Sequence, residues 1–153
     1  MNNITATAKI YFAGSIRGGR SDAELYHNII RYIQQELGCK VLTEHVGDLS
    51  LSQKEGSTPK NLKTGENVDQ AIYLQDTGWL KESDLVIAEC TTPSLGVGYE
   101  LAFAEKLDKP VHIFYNRERT RLSAMLTGNT YFHIHTYTQE EEIFPILNSV
   151  FEE

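Results

Sequence analysis

Apolar positions follow two patterns along this chain, short continuous runs and helical spacing. Five short apolar runs are separated by stretches in which apolar residues recur at helical spacing. This order predicts a five-stranded parallel sheet sandwiched by helices, and so an α/β fold. The predicted strands are Lys9 to Ala13, Lys40 to Thr43, Asp84 to Glu89, Pro110 to Tyr115 and Tyr131 to Thr136.

The first and last helices are indicated by their ends as well as by their spacing. Ser21 to Glu24 and Thr138 to Glu141 have the order of capping boxes, in which a hydroxyl and a carboxylate satisfy free backbone amides. Gly38 is a plausible end for the first helix. The inward faces are Leu25, Ile29, Ile30, Ile33 and Leu37 in the first helix, and Ile143, Ile146, Leu147, Val150 and Phe151 in the last.

A further helix is predicted from Asn67 to Glu82, after a segment with no periodicity. That segment, from Gly47 to Gly65, is rich in Ser, Lys, Gly, Asn and Thr, and we expect a mobile surface loop, either a lid or an insertion. The predicted inward positions of the helix are Val68, Ala71, Ile72 and Trp79.

Composition narrows the class of protein. At 153 residues and 41% apolar content, we expect a single domain spanning residues 1–153. Lys and Arg number 14 against 21 Asp and Glu, so the net charge of −7 disfavours a nucleic-acid polymer as partner. No apolar run is long enough to cross a membrane and no secretion signal is evident, so we expect a cytoplasmic protein, or a nuclear one in a eukaryote. Cys39 and Cys90 are expected to be reduced thiols.

Two glycine-rich segments follow predicted strands, where parallel sheets bind ligands. In the first, Tyr11 to Arg20, small residues let backbone amides approach an anion, and Arg17 can fork onto phosphate oxygens. A tight turn with a solvated arginine is the simpler alternative. The segment lacks the residue order of a P-loop, and the Gly96-Val97-Gly98 stretch lacks the third glycine of a dinucleotide fingerprint. The motifs that would indicate ATP or NAD as a ligand are therefore missing.

The second segment, Glu89 to Glu100, leads from a strand into a helix. Ser94 and the glycine amides can line an anion site at the start of this helix, and Glu100 lies about one turn inside it. A glutamate there is ordinarily a surface residue that stabilises the helix dipole. Glycosidic bond cleavage, however, needs one carboxylate at the anomeric carbon and a second acid for the leaving group. Asp76 and Glu100 can fill those roles, with Tyr11 holding the attacking carboxylate.

Several of these runs together resemble one enzyme family, the 2′-deoxynucleoside 5′-phosphate N-hydrolases of the nucleoside 2-deoxyribosyltransferase superfamily. The similarity spans most of the chain between Tyr11 and Met125, and the combination of PSLGVGYEL with SIRGG is its most specific part. The runs are YFAGSIRGGR (Tyr11 to Arg20), LTEHV (Leu42 to Val46), LQDTGWL (Leu74 to Leu80), PSLGVGYEL (Pro93 to Leu101) and LSAM (Leu122 to Met125).

This resemblance implies a flavodoxin-like (Rossmann-like) three-layer sandwich and a homodimer that hydrolyses deoxynucleoside monophosphates to a free base and 2-deoxyribose 5-phosphate. It implies that Glu100 is the nucleophile of a glycosyl-enzyme intermediate, that Asp76 protonates the base or activates water, and that Tyr11 orients Glu100. Ser123 is expected to reach the partner chain's site. The implied substrate and phosphate contacts are Gly14, Ser15, Ile16, Arg17, Gly18, Gly19, His45, Ser94, Gly96, Ser123 and Met125.

The expected chemistry needs neither a metal nor a cofactor, because a carboxylate makes the attack. His133 and His135 are two apart on a strand and share a face, but no third metal ligand is evident beside them. Three alternatives stay open: a deoxyribosyltransferase that passes the sugar to a second base, a hydrolase of ribonucleotides, and a non-catalytic module that only binds a nucleotide. Turnover of the respective substrates distinguishes them.

Overall fold

Five parallel strands form one sheet, as the sequence pattern predicts. The computed structural model describes residues 7–51, 58–59 and 61–152. The strands are β1 (Lys9–Ala13), β2 (Lys40–Val41), β3 (Leu85–Glu89), β4 (Val111–Asn116) and β5 (His133–Tyr137). They pair in the order β2-β1-β3-β4-β5, with Ile10 opposite both Val41 and Leu85.

Helices cover both faces of the sheet, which confirms the three-layer sandwich. They are α1 (Ala23–Gln35), α2 (Val68–Glu82), α3 (Leu95–Lys106), α4 (Ala124–Thr127) and α5 (Ile143–Glu152). Alternate residues of each strand point to opposite faces. Ile10 and Phe12 of β1 therefore pack with α1 and α5, whereas Tyr11 and Ala13 pack with α2 and α3.

The second strand is shorter than predicted because a side chain, not the backbone, makes the last hydrogen bonds to β1. Leu42 N–H still donates to the Ile10 carbonyl at 2.9 Å. At Thr43, however, the hydroxyl Oγ1 accepts from Phe12 N–H at 2.9 Å and donates to the Phe12 carbonyl at 2.7 Å. The Thr43 side chain thus fixes the end of β1 where a strand backbone would otherwise do so, and the chain turns into a 3-10 helix over Glu44–Gly47.

Neither predicted capping box forms as expected. Asp22 precedes α1, but its side chain makes no cap hydrogen bond and contacts other segments instead. Before α5, Thr138 N–H and Oγ1 donate to the carboxylate of Glu142, not of Glu141. A 3-10 turn over Glu140–Glu142 shifts the acceptor by one residue. Gly38 does follow α1, with a φ of 69° that favours glycine.

The predicted inward face of α2 is partly wrong. Val68 is 38% exposed, while Thr77 and Leu80 are the buried residues of this helix. The helix therefore packs most closely through its C-terminal half, where Trp79 also contacts the core. Its start is as predicted, because the Asn67 side chain accepts from Gln70 N–H at 3.0 Å.

The expected loop from Gly47 to Gly65 is only partly covered, since residues 52–57 and 60 lie outside the described residues. Its described remainder holds no helix or strand beyond the 3-10 helix that ends at Gly47. Within the described part of the chain, no helix is long and apolar enough to span a membrane.

The order of the strands determines where a ligand site can form. The chain moves from β1 outward to β2 and then returns to β3 on the other side of β1. In open α/β sheets, such a reversal leaves a crevice beyond the carboxyl ends of the two central strands. The residues that follow β1 and β3 are the two glycine-rich segments, so the fold brings both to one edge.

Candidate active site

A small pocket lies at this edge and gathers the three residues expected to carry the chemistry. Tyr11 comes from β1, Asp76 from the middle of α2 and Glu100 from α3. The pocket's lining residues are Tyr11, Phe12, Ala13, Gly14, Ile16, Thr43, His45, Val46, Asp76 and Glu100. Of the expected substrate contacts, this pocket includes Gly14, Ile16 and His45.

Local structure explains why Glu100 reaches the pocket. The Ser94 hydroxyl accepts from Val97 N–H at 3.2 Å and so starts α3 at Leu95. Glu100 is then more than one turn inside the helix, beyond the first turn where a glutamate would interact with the helix dipole. Leu101 and Ala104 of the same helix are buried against the sheet, which fixes its rotation.

The pKa values of both carboxyl groups are raised. Burial, then the nearby charge of Asp76, raises the pKa of Glu100 to about 8, although a hydrogen bond from Tyr11 lowers it. Burial raises the pKa of Asp76 to about 6, and a hydrogen bond from Gln75 opposes this. Burial and the carboxylates of Glu100 and Asp76 also raise the pKa of Tyr11, so it stays a phenol that can donate a hydrogen bond.

His45, which lines the pocket, packs against an aromatic ring of α2. The rings of His45 and Trp79 lie 5.6 Å apart between centroids and are tilted by 39°, which joins the short 3-10 helix to α2. Trp79 is partly buried and lies behind His45, outside the pocket lining. Sequence reasoning did not single out Thr43, which lines the same pocket; its only signal was its place within the LTEHV run.

The first glycine-rich segment is a tight loop that packs on Tyr26 of α1. Tyr26 OH accepts from Ser15 N–H at 3.1 Å, and a Cβ on Gly14 would lie 2.9 Å from the Tyr26 ring. Ser15 itself is fully buried, and its Oγ has no hydrogen-bond partner among the described residues. Gly19 has a φ of 143°, a conformation that favours glycine.

The two glycine-rich segments touch at Gly18. A Cβ on Gly18 would lie 2.7 Å from the Pro93 carbonyl oxygen and 2.8 Å from Ser15 Oγ. Nothing larger than glycine fits there without moving backbone. The loop after β1 and the loop after β3 are therefore neighbours, as expected of two parts of one anion site.

Two arginines of the first loop have different surroundings. Arg17, expected to bind phosphate, forms an exposed ion pair with Asp69 of α2 at 2.8 Å. Arg20 was overlooked in the sequence, although it closes the SIRGGR run. It donates to the carbonyls of Ser15, Val46 and Asp48 at 3.2, 2.8 and 3.1 Å, and so joins this loop to the segment that carries His45.

The other expected contacts lie beside a second, larger cavity. Ser94, Ser123 and Met125 line a mostly apolar cavity of about 650 Å³ between α3 and the 120–126 segment. Gly96 is exposed in the first turn of α3, close to Ser94. Within one chain, Ser123 and Met125 are therefore not at the pocket of Glu100.

Behind the second loop lies a buried carboxyl group that the sequence did not highlight. Glu89 is 1% exposed, and its Oε1 accepts hydrogen bonds from Thr91 and, at 2.9 Å, from Tyr137 OH. Its Oε2 has no partner among the described residues. Burial raises the pKa of Glu89 to about 7 against the opposing effect of these hydrogen bonds.

The histidines near the sheet edge pack with each other. His112 Nδ1 and His135 Nε2 lie 2.9 Å apart, and the His112 and His133 rings stack at 4.6 Å. Burial, with the charges of the other two histidines, lowers the pKa of His112 to about 3. No group of three or more His, Cys, Asp or Glu within the described ranges could hold a metal ion.

Comparison with known proteins identifies the family. The model of the nucleoside 2-deoxyribosyltransferase family matches residues 10–143. The 5-hydroxymethyl-dUMP N-hydrolase of Tetraodon nigroviridis is 45% identical over 137 residues, which cover 87% of this chain and 90% of the relative. That of Danio rerio is 42% identical over 149 residues, covering 94% and 95%.

Solved structures share the fold at low sequence identity. The CMP N-glycosidase of Clostridium botulinum superposes with a TM-score of 0.62 at 17% identity, covering 92% of this chain and 98% of the other. A 2-deoxyribosyltransferase from Bacillus psychrosaccharolyticus gives a TM-score of 0.60 at 18% identity, covering 90% of each. With the family model matching most of its length, the chain belongs to the nucleoside 2-deoxyribosyltransferase family.

Proposed function

We propose that this protein hydrolyses the N-glycosidic bond of 2′-deoxynucleoside 5′-monophosphates and releases a free base and 2-deoxyribose 5-phosphate. The observation that carries the proposal is the meeting of Glu100, Asp76 and Tyr11 in one pocket beside two glycine-rich loops. The names of the relatives support the same reaction, since two of them are 5-hydroxymethyl-dUMP N-hydrolases.

In the proposed first step, a Glu100 carboxylate oxygen attacks the anomeric carbon. The bond between that carbon and the base nitrogen breaks, its electron pair leaves with the base, and the Asp76 carboxyl donates a proton to the base. Tyr11 donates a hydrogen bond to Glu100 and so holds the attacking group in place. Water then resolves the glycosyl ester, giving up a proton to Asp76 and freeing Glu100.

The raised pKa values leave one proton for the two carboxyl groups to share. Near neutral pH the pair holds this one proton, because two neighbouring carboxylates withdrawn from water resist full ionisation. With the pKa of Glu100 at about 8 and that of Asp76 at about 6, the proton lies mostly on Glu100, and the reactive form is the less populated one, with the proton on Asp76 and the charge on Glu100. The cationic character that develops on the sugar in the transition state favours this arrangement.

The phosphate serves as a handle that positions the sugar. Backbone amides of Ile16, Arg17 and Gly18, the buried Ser15 hydroxyl and Ser94 at the start of α3 surround the place where it would bind, whereas the amides of Ser15 and Gly19 already donate within the protein. Arg17 must then leave Asp69, and the cost is small because both side chains are exposed, at 60% and 75%. No metal or cofactor is needed for these steps.

We also propose a homodimer in which Ser123 completes the partner's phosphate site. Large apolar side chains are exposed around the larger cavity, among them Leu95 at 97% and Met125 at 82%. Exposed apolar patches of this kind are typical of protein interfaces. A Leu95→Glu variant that is monomeric should bind the monophosphate more weakly, whereas an equally active monomer would contradict a shared site.

A panel of deoxy- and ribonucleoside monophosphates, including 5-hydroxymethyl-dUMP, tests the proposal when free base is measured by chromatography. Base release from deoxynucleotides by the wild type, and none by Glu100→Gln, is expected. Wild type that binds these nucleotides but never releases base would overturn the proposal in favour of a binding module.

The second candidate is a deoxyribosyltransferase, favoured by the family match and by one structural neighbour of that activity. Such an enzyme passes the sugar from Glu100 to a second base instead of to water. Incubation of an unphosphorylated deoxynucleoside with a free acceptor base distinguishes the two. Efficient exchange without hydrolysis of monophosphates would favour the transferase.

A further inference from the structure

Asp22 is a buried carboxylate at a junction of three segments. Its side chain is 6% exposed. Oδ1 accepts from Arg119 Nη1 at 2.7 Å, and Oδ2 accepts from Arg119 Nη2 at 3.3 Å and from the Thr92 hydroxyl at 2.8 Å. The Arg119 contact is a fork of two parallel hydrogen bonds, which fixes direction as well as distance.

The segments that meet at Asp22 are those expected to hold phosphate. Asp22 itself comes two residues after the first glycine-rich loop ends at Arg20. Thr92 belongs to the second loop, two residues before Ser94. Arg119 precedes the stretch that leads to Ser123. One carboxylate therefore contacts all three sequence regions that supply the proposed phosphate contacts.

Helix formation does not explain this carboxylate. A residue at the start of a helix ordinarily uses its side chain to cap free amides. Here the Asp22 side chain makes no such bond, and its backbone carbonyl already accepts from Tyr26 N–H at 3.0 Å. Both carboxylate oxygens face the other two segments instead.

Side chains as well as backbone join the outer parts of the loops: the Thr92 hydroxyl donates to Asp22 at 2.8 Å and lies 3.5 Å from the Ser21 hydroxyl. Gly18 and Pro93 touch through backbone, and a Cβ on Gly19 would lie 3.7 Å from the Thr92 methyl. Thr91, next to Thr92, is held from the opposite side by Glu89. The hydrogen bond from Thr92 to Asp22 thus holds the second loop at a second point, next to the one at Thr91.

We propose that Asp22 is a positioning residue, which holds the two glycine-rich loops so that their donors converge on one phosphate, and which also fixes the start of the 119–123 segment, whose Ser123 is proposed to reach the partner's phosphate. This inference rests on the proposed function. Asp22 does not touch the phosphate; it acts through Thr92 and Arg119. Its loss should therefore weaken phosphate binding more than it slows bond cleavage.

Two variants and one control test the inference. Asp22→Asn removes the charge, and Thr92→Val removes the hydroxyl donor at nearly constant shape. Glu82→Gln breaks the Lys9–Glu82 pair of 2.9 Å at the opposite, amino end of the sheet and is the matched control. For each protein, kcat, KM and the melting temperature are measured with a deoxynucleoside monophosphate, and 2-deoxyribose 5-phosphate binding is measured by calorimetry.

The expected result is a rise of about tenfold in both KM and the dissociation constant of 2-deoxyribose 5-phosphate for Asp22→Asn, with kcat within about threefold of wild type. Thr92→Val should show the same split to a smaller extent, and Glu82→Gln should show none. Asp22→Glu is not expected to restore wild-type binding, because its longer side chain would displace the two parallel hydrogen bonds from Arg119.

A merely structural role would lower the melting temperature and leave KM and binding unchanged, and that outcome overturns the inference. If Asp22→Asn does not fold, Thr92→Val decides alone. Failure of the proposed function is seen separately, as wild type that binds 2-deoxyribose 5-phosphate but releases no base. In that case weaker binding by the variants still supports the positioning role, and equal binding still overturns it.

Discussion

Asp76 and Glu100 come from neighbouring helices and place their carboxyl groups in one pocket, where the pKa of each is raised. The proposed mechanism needs a split, with Glu100 ionised for attack and the pKa of Asp76 raised so that it can act as the acid. The structure instead shifts Glu100 further, because burial acts on both groups and the charge of Asp76 acts on Glu100. The pair must therefore be treated as one titrating unit.

This coupling predicts a bell-shaped pH dependence of kcat/KM. Below a pH of about 6 both groups are protonated and no nucleophile is present; above a pH of about 8 both are ionised and no proton is available for the base. The maximum should lie between these values. Initial rates of base release at low substrate concentration, measured from pH 5 to pH 10, give the profile.

Asp76→Asn is the control for the alkaline limb. The variant cannot donate a proton, so it should be slower than wild type at the wild-type optimum and should lose the fall above pH 8. A wild-type profile that rises to a plateau above pH 8 would contradict a protonated Asp76 in the reaction.

Much of this site was predictable from sequence because its residues sit in distinctive local patterns. Gly14, Gly18 and Ser94 lie where a strand turns into a helix, and the chemistry of a glycosidic bond pointed to Asp76 and Glu100 as a pair. The order of apolar runs also predicted the sheet, since each buried parallel strand is a short run of its own.

Other residues were missed because their role depends on partners distant in sequence. Asp22 has the local signature of a helix cap, but its partner Arg119 is 97 positions away. Thr43 looked like a strand residue until its hydroxyl was found to pair with Phe12, 31 positions away. Long-range pairings of this kind leave no periodic trace. The prediction of the inward face of α2 was partly wrong for a related reason, because tertiary packing decides which half of a weakly amphipathic helix is buried.

Gly18→Ala should impair substrate binding. The added methyl would meet the Pro93 carbonyl and Ser15 Oγ, so the two loops must separate. We expect KM for the monophosphate to rise by about tenfold and the free energy of unfolding to fall by about 1–3 kcal/mol. Steady-state kinetics and chemical denaturation measure the two effects.

Gly78→Ala is the matched control. Gly78 lies in α2, and a Cβ there has nothing within 4 Å. Alanine should stabilise the helix by about 0.5–1 kcal/mol and leave KM unchanged. If both variants bind substrate like wild type, the close approach of the two loops does not matter for binding.

Glu89→Gln should change how stability depends on pH. The folded pKa of about 7 lies above the ordinary glutamate pKa of 4.5, so the protonated carboxyl stabilises the fold fully below pH 4.5, and this contribution is lost as pH rises through 7. Because glutamine does not ionise, the variant does not lose stability in this way as pH rises. Relative to wild type, it should gain up to about 3 kcal/mol of stability between pH 4.5 and pH 8.

Denaturant unfolding of both proteins at pH 4.5, 6 and 8 provides the comparison. The variant's amide can occupy the place of Oε2 while its carbonyl keeps the bonds from Thr91 and Tyr137. A constant difference in stability across this range would show that Glu89 titrates like an exposed glutamate.

The most direct test of the central claim is the intact mass of the enzyme, quenched in acid during turnover of a deoxynucleoside monophosphate. A covalent intermediate on Glu100 predicts a transient species heavier than the free chain by 2-deoxyribose 5-phosphate less one water, with the added mass on the peptide that contains Glu100. Glu100→Gln should show no such species. Rapid base release by wild type with the added mass never present, or with it on a peptide lacking Glu100, would contradict the account.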